Sequence, residues 1–170
     1  MLTDGIPPDL DEVIEQLGFA FQPAVMPSGF DLAGISFNNN QVRQIYQSEE
    51  KNIIVAYPLE FSPDPSSDPL GWERPQDAVT SLRIGDQTAH LMIGGWSDAS
   101  IIAGPALRPD RAEWDYDKSL ALFFSCRGDD GRRVSIAIQA SQSSTGPIGW
   151  IDADDIIETA HSLKRISPPQ

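Results

Sequence analysis

The sequence predicts an α+β domain: a mainly antiparallel sheet of about six or seven strands, with an N-terminal helix and a C-terminal helix packed on the sheet. Three observations lead there. Residues 119–140 read as a hairpin with one apolar face. Two earlier blocks, 31–61 and 79–94, break into short alternating runs divided by polar turns. At both ends, 10–17 and 153–163, apolar residues recur at helical rather than strand intervals. Residues 1–24 are read as a lead-in and helix, and residues 25–166 as one domain.

The first helix starts at Pro8-Asp9, aligns Leu10, Val13, Ile14 and Leu17 on one stripe, and stops at Gly18. The phrase Val25-Met26-Pro27-Ser28-Gly29-Phe30 turns into a strand over 31–37. Asn38-Asn39-Asn40 turns again, 42–48 resumes, Glu49-Glu50-Lys51-Asn52 turns, and 53–61 completes a three-strand meander. The run 62–77 is too proline-rich for regular structure and is expected to be a surface loop. Residues 79–84 and 87–94 pair around Gly85-Asp86, and 95–118 form a second irregular segment.

In the hairpin 119–140, Leu120, Leu122, Phe124 and Cys126 share one face, as do Val134, Ile136, Ile138 and Ala140 on the return strand. The other face, with Ala121, Phe123, Ser125, Arg127, Arg133, Ser135, Ala137 and Gln139, is smaller and wetter, as on a sheet with one side toward solvent. Gly128-Asp129-Asp130-Gly131 makes the turn. After a Ser/Gly loop at 141–149 and Trp150, Asp152 and Asp155 mark a helix N-terminus. Ala153, Ile156, Ile157, Ala160 and Leu163 form its buried stripe, Lys164 and Arg165 its last turn, and Ser167-Pro168-Pro169 its stop.

With 170 residues the chain can bury a full core. Its 25 acidic and 12 basic residues leave a net charge of −13. That balance disfavours nucleic acid and anionic membrane surfaces, both of which need cationic contacts. One cysteine cannot form an internal disulfide, and no apolar run is long enough for membrane insertion. No signal-peptide pattern is visible at the start, so a cytosolic protein and the soluble part of a larger one both fit.

No nucleophile elbow, HExxH, paired CxxC, P-loop or dinucleotide fingerprint occurs, and no cofactor or metal site is expected. An enzyme would have to use His90, Cys126 or His161 with an acidic neighbour. Cys126 continues the apolar parity of its strand, which favours a buried structural thiol. The acidic pairs Asp64/Asp68 and Asp129/Asp130 and the trio Asp152/Asp154/Asp155 lack calcium-loop spacing. Trp72, Trp96, Trp114 and Trp150 fall in loops or at element ends. Capping the core beneath a long crossing segment is the simpler reading of such loop aromatics. The functional alternative is an aromatic-lined groove for a peptide, glycan or lipid-like ligand, with Trp72, Trp96, Trp114 and Tyr116 as the candidate ligand-binding residues and a protein, peptide or small molecule as the partner.

The order of phrases resembles a bacterial family known as domain of unknown function 4367. The phrases are Met26-Pro27-Ser28-Gly29-Phe30, Val42-Arg43-Gln44-Ile45-Tyr46, Asn52-Ile53-Ile54-Val55, Ile84-Gly85-Asp86-Gln87-Thr88-Ala89, the strand 120–124, and a closing helix ending in Ala160-His161-Ser162-Leu163. Phe124 stands where that family has tryptophan. The resemblance spans roughly 25–166. It implies a small α+β domain, often the extracytoplasmic soluble part of a bacterial membrane-anchored or regulator-associated protein, and no catalytic residues. The expectation is a non-enzymatic binding or sensing module. The alternatives are a small hydrolase or other enzyme, or a cytosolic accessory protein that forms a homodimer through an edge strand.

Overall fold

The hairpin over residues 119–140 lies at the middle of the sheet. The computed structural model describes residues 10–38, 40–59, 72–127, 131–142 and 150–167. The expected starts and turns at Pro8-Asp9, Asn39 and 128–130, most of the proline-rich loop and of the Ser/Gly loop, and the stop at Pro168-Pro169 lie outside them.

Seven strands form one antiparallel sheet: β2 (Asp31–Asn38), β3 (Gln41–Ser48), β4 (Lys51–Tyr57), β5 (Val79–Ile84), β6 (Gln87–Trp96), β7 (Trp114–Arg127) and β8 (Arg133–Gln142), in the order β2-β3-β4-β8-β7-β6-β5. Two further short strands, β1 (Ala20–Pro23) and β9 (Leu163–Ile166), form a separate antiparallel ribbon. The helices are α1 (Leu10–Leu17), α2 (Asp98–Ala103) and α3 (Ala153–His161). The α+β class therefore holds, with a helix near each end of the chain.

The central register is the one the alternation requires. Leu120 opposes Ala140, Leu122 opposes Ile138, Phe124 opposes Ile136 and Cys126 opposes Val134. These side chains join Ile53 and Val55 of β4 and Leu91 of β6 in one core. A slip of one residue would turn them all outward, so burial fixes the register. The opposite face is drier than its composition suggests, because Ala121 and Ala137 are buried.

Two lids cover the core face. α3 lies against β5, β7 and β8 and buries Ile156, Thr159 and Ala160. Asp152 and Asp155 form the expected capping box, the Asp152 N–H donating to Asp155 Oδ2 at 3.2 Å. The helix ends earlier than its sequence pattern predicts. Ser162 Oγ donates to Thr159 O at 2.8 Å and accepts the Val25 N–H at 3.0 Å, which draws the chain out of the helix. Lys164 and Arg165 consequently belong to β9 rather than to a last helical turn, opposite Gln22 and Phe21 of β1.

The ribbon is the second lid, and side chains fasten it. The Phe21 N–H donates to Tyr57 Oη at 3.0 Å, and Gln44 Nε2 donates to Phe21 O at 2.9 Å and also to Tyr57 Oη. Tyr46 Oη donates to Gln44 Oε1 at 2.9 Å. Gln44 and Tyr57 thus stand in for a neighbouring strand, satisfying both peptide groups of Phe21 where unpaired ones would be costly. Rings fill the rest: Phe21 meets Tyr57 edge-on at 4.9 Å, Phe19 stacks on Tyr57 at 6.1 Å, and the Arg165 guanidinium lies 4.5 Å from the Phe19 centroid.

Candidate functional site

Pairing of β6 with β7 brings together residues that are far apart in sequence. Trp96 ends β6 directly opposite Trp114, the first residue of β7. Trp72, from the segment leading into β5, packs edge-to-face on Trp96 at 5.1 Å, and Trp96 packs the same way on Trp114 at 5.1 Å. These are favourable quadrupole arrangements. Trp114 Nε1 donates to Ile93 O at 3.1 Å, which fixes the outermost ring of the three. Trp72 and Trp96 are only 5% and 9% exposed, so their faces are taken up by packing; Trp114 is half-buried and Tyr116 is 43% exposed. Trp150 is elsewhere, stacked on Phe30 at 5.6 Å beside the core.

A large bulge supports this cluster. Ile93 opposes Leu120 whereas Gly95 opposes Asp115, so Gly94 alone faces the segment 116–119. Gly94 has φ +93°, and a Cβ there would lie 2.5 Å from Trp114 Nε1 and 2.6 Å from Asp115 O. No other residue fits without displacing the backbone. Polar contacts hold the extra residues. Ser119 Oγ donates to Gly94 O at 3.0 Å, Lys118 Nζ donates to Trp96 O at 2.6 Å and pairs with Asp98 at 2.9 Å, and Tyr116 Oη donates to Asp77 Oδ1 at 2.7 Å. The Asp77 carboxylate keeps the phenolic proton on Tyr116, raising its pKa.

From this base the chain makes an excursion between β6 and β7, which the sequence presents as irregular and which in fact contains α2 and two 3-10 turns. Its neck is closed by the Ser97 N–H donating to Glu113 O at 2.8 Å. Inside the neck, the buried Ser100 hydroxyl accepts from Ser97 Oγ and from the Glu113 N–H, each at 2.9 Å, and Ser97 caps α2 by accepting the Ser100 N–H at 3.2 Å. At the tip, Ile101 is 49% and Ile102 85% exposed, with Pro105 and Ala106 also exposed. Sequence reasoning passed over this pair. The signal was present as Ile101-Ile102 between a serine cap and Gly104-Pro105, an apolar pair in a segment with no partner strand.

Asp98, Glu113, Asp115 and Asp117 are exposed around the same base. Of the nearby cations, Lys118 is engaged with Asp98, Arg108 pairs with Asp110 at 3.2 Å, and Arg111 is exposed on the same excursion. The surface is therefore an apolar tip above a predominantly acidic base.

The three candidates for catalysis lie on three different elements. His90 lies on the outer face of β6, with Nδ1 3.3 Å from Ser81 Oγ. Cys126 is on the core face of β7, where burial pushes its thiol pKa up, away from the thiolate a nucleophile needs. His161 is exposed at the end of α3. The sheet itself separates His90 from Cys126. Among the described residues no group of three or more His, Cys, Asp or Glu is placed to hold a metal ion, and no helix is long and apolar enough to cross a membrane.

No protein-family model matches the chain, and neither a curated protein nor a solved structure matches it. The resemblance to domain of unknown function 4367 rests on the order of its phrases alone.

Proposed function

We propose that this chain is a non-enzymatic binding module that meets a protein partner through the tip of the β6–β7 excursion. The observation that carries the reading is the exposure of Ile101 and Ile102 on a hydrogen-bonded neck above the tryptophan cluster. Isolated exposed apolar residues are ordinary, but two adjacent isoleucines on a braced projection are not accounted for by the packing of the domain. Burying each would contribute about 1.5–3 kcal/mol, and a preformed neck loses little conformational entropy on docking. The acidic base below the tip favours an apolar pocket with cationic groups at its rim. That favours a protein over an anionic bilayer or nucleic acid, in keeping with the net charge of −13. The phrase-order resemblance points the same way, toward a small bacterial domain that senses or recruits.

A photo-crosslinking amino acid placed at position 102, compared with one at Glu158 on the exposed side of α3, tests this in cells of the source organism. The expected result is an adduct of one defined mass at position 102 alone, abolished by Ile101→Asp. Equal labelling at the two positions, or an adduct indifferent to Ile101→Asp, refutes it.

A further inference from the structure

The end of the sheet opposite the tryptophans carries a contrasting surface. There β7 and β8 place Arg127 directly across from Arg133. Both side chains are exposed, and both lie on the face away from Cys126 and Val134, which belong to the core face. Arg83 joins them on that face from β5: its neighbours Leu82 and Ile84 are packed into the core, so the arginine points the other way. Thr88 of β6, opposite Arg83, and the facing pair Ser125 and Ser135 supply hydroxyl groups between the arginines.

Like charges directly opposite in a sheet are destabilising, so the Arg127/Arg133 pair opposes folding rather than supporting it. The described acid at this end is Asp86, and it is already engaged. Its Oδ1 accepts from Gln87 Nε2 at 2.8 Å, while Arg83 Nη2 donates to its main-chain carbonyl at 2.6 Å. The Gln87 hydrogen bond above all, with smaller contributions from the charges of Arg127 and Arg133, holds the Asp86 carboxyl below its ordinary range. In a chain with a net charge of −13, the described residues at this end of the face carry three arginines to one acid.

We infer that this patch binds an acidic peptide segment, with Arg83, Arg127 and Arg133 each taking a carboxylate. Strands lie about 4.8 Å apart, so β5 to β8 spans roughly 14 Å. An extended peptide presents same-side residues about 7 Å apart, and three alternate acidic residues cover the same span. Guanidinium groups match carboxylates in a two-pronged geometry, and the serine and threonine hydroxyls can serve the peptide backbone. A nucleic-acid strand is a poorer occupant: its affinity comes from cations spread along the backbone, and the chain beyond this patch would repel it. The site is separate from the isoleucine tip and does not depend on it.

Fluorescence anisotropy with a fluorescein-labelled peptide of alternating Glu and Ser tests the inference on the full chain. Binding is expected that weakens with salt and is absent for the Gln-Ser peptide. Arg127→Glu with Arg133→Glu should lose tenfold or more in affinity, whereas Arg108→Glu, at the other end of the sheet, should leave it unchanged. Arg133→Glu alone removes a like-charge pair, so it should lower affinity without lowering the melting temperature, which separates a binding defect from misfolding. Equal binding of the Gln-Ser peptide, retention of affinity by the double variant, or preference for single-stranded DNA of equal charge each overturns the inference.

Discussion

Two aromatic clusters among the described residues, one around Tyr57 and one around Trp96, are built on opposite plans. Around Tyr57, rings and hydrogen bonds are interleaved: Phe19, Phe21 and Tyr57 pack together while Gln44 and Tyr46 satisfy the polar atoms between them. Everything there faces inward and joins two ends of the chain to the sheet. Around Trp96 the rings stand outside the main core, and the polar contacts run along the outside of the bulge and lead away to an exposed tip. One cluster ends in closure, the other in a projection. The first is what a domain needs in order to fold; the second holds in place a segment whose two isoleucines are left exposed.

The sharpest way to test that division is to remove the lids of the first cluster. A chain truncated after Trp150 loses the burial of Ile156, Thr159 and Ala160 and the β9 half of the ribbon. Net domain stability is only about 5–15 kcal/mol, so differential scanning calorimetry should show no cooperative melt. In the second cluster, Gly94→Ala has the largest expected effect. A positive-φ strain of roughly 1–2 kcal/mol adds to overpacking of about 1–3 kcal/mol against Trp114 and Asp115. Urea unfolding should register the sum as a lower midpoint. If Gly94→Ala is as stable as the parent chain, the bulge is not the brace described.

The difference between the clusters also decided what could be read beforehand. Alternation made β7 and β8 legible, because Leu120, Leu122 and Phe124 repeat at strand spacing beside a matching return strand. The ribbon was invisible. Ala20-Phe21-Gln22-Pro23 and Leu163-Lys164-Arg165-Ile166 are too short for a periodic signal, and they exist as strands only because the fold brings them together. Lys164 and Arg165 also fit a helix end, and the contacts of Ser162 with Val25 and the pairing of β9 with β1 overrule that reading. At the candidate site, Trp72, Trp96 and Trp114 were identifiable as unusual residues. Their edge-to-face contacts depend on the register of β6 with β7, which Asp115, Tyr116, Asp117 and Lys118 disguise by breaking the alternation with a polar bulge.

The inward cluster should respond both to polar substitution and to alkali. Gln44→Leu leaves Phe21 O and the Tyr46 hydroxyl without their buried partner, at about 1–3 kcal/mol for each unsatisfied group. Burial pushes the Tyr57 pKa up to about 12, even though the Phe21 N–H and the Gln44 amide favour the phenolate, and burial together with Tyr57 raises that of Tyr46 well above its ordinary value. The unfolded tyrosines lose their protons near 10. Between about pH 10 and 12 the folded state therefore holds more protons than the unfolded one, and stability falls as pH rises. Below that window the contribution of these tyrosines is complete and independent of pH. Unfolding monitored from pH 9 to 12 should show this decline, and Tyr57→Phe should make it shallower. A flat profile would mean that the hydroxyls are not enclosed.

The smallest stability effect is expected at the tip, and there the smallness is the point. Ile102→Ser exchanges one exposed side chain for another, so the melting temperature should stay within the range of an ordinary surface change, about 0.5 kcal/mol or less. Ile101→Ser, at a site about half exposed, should cost only slightly more. Crosslinking from a neighbouring tip position, Ala106, should nevertheless be lost in both. A marked fall in stability would show that the isoleucines pack on part of the domain, and the contrast between an inward-facing and an outward-facing cluster would collapse. A stable variant that has lost its adduct can be explained only by contacts the tip makes with another molecule.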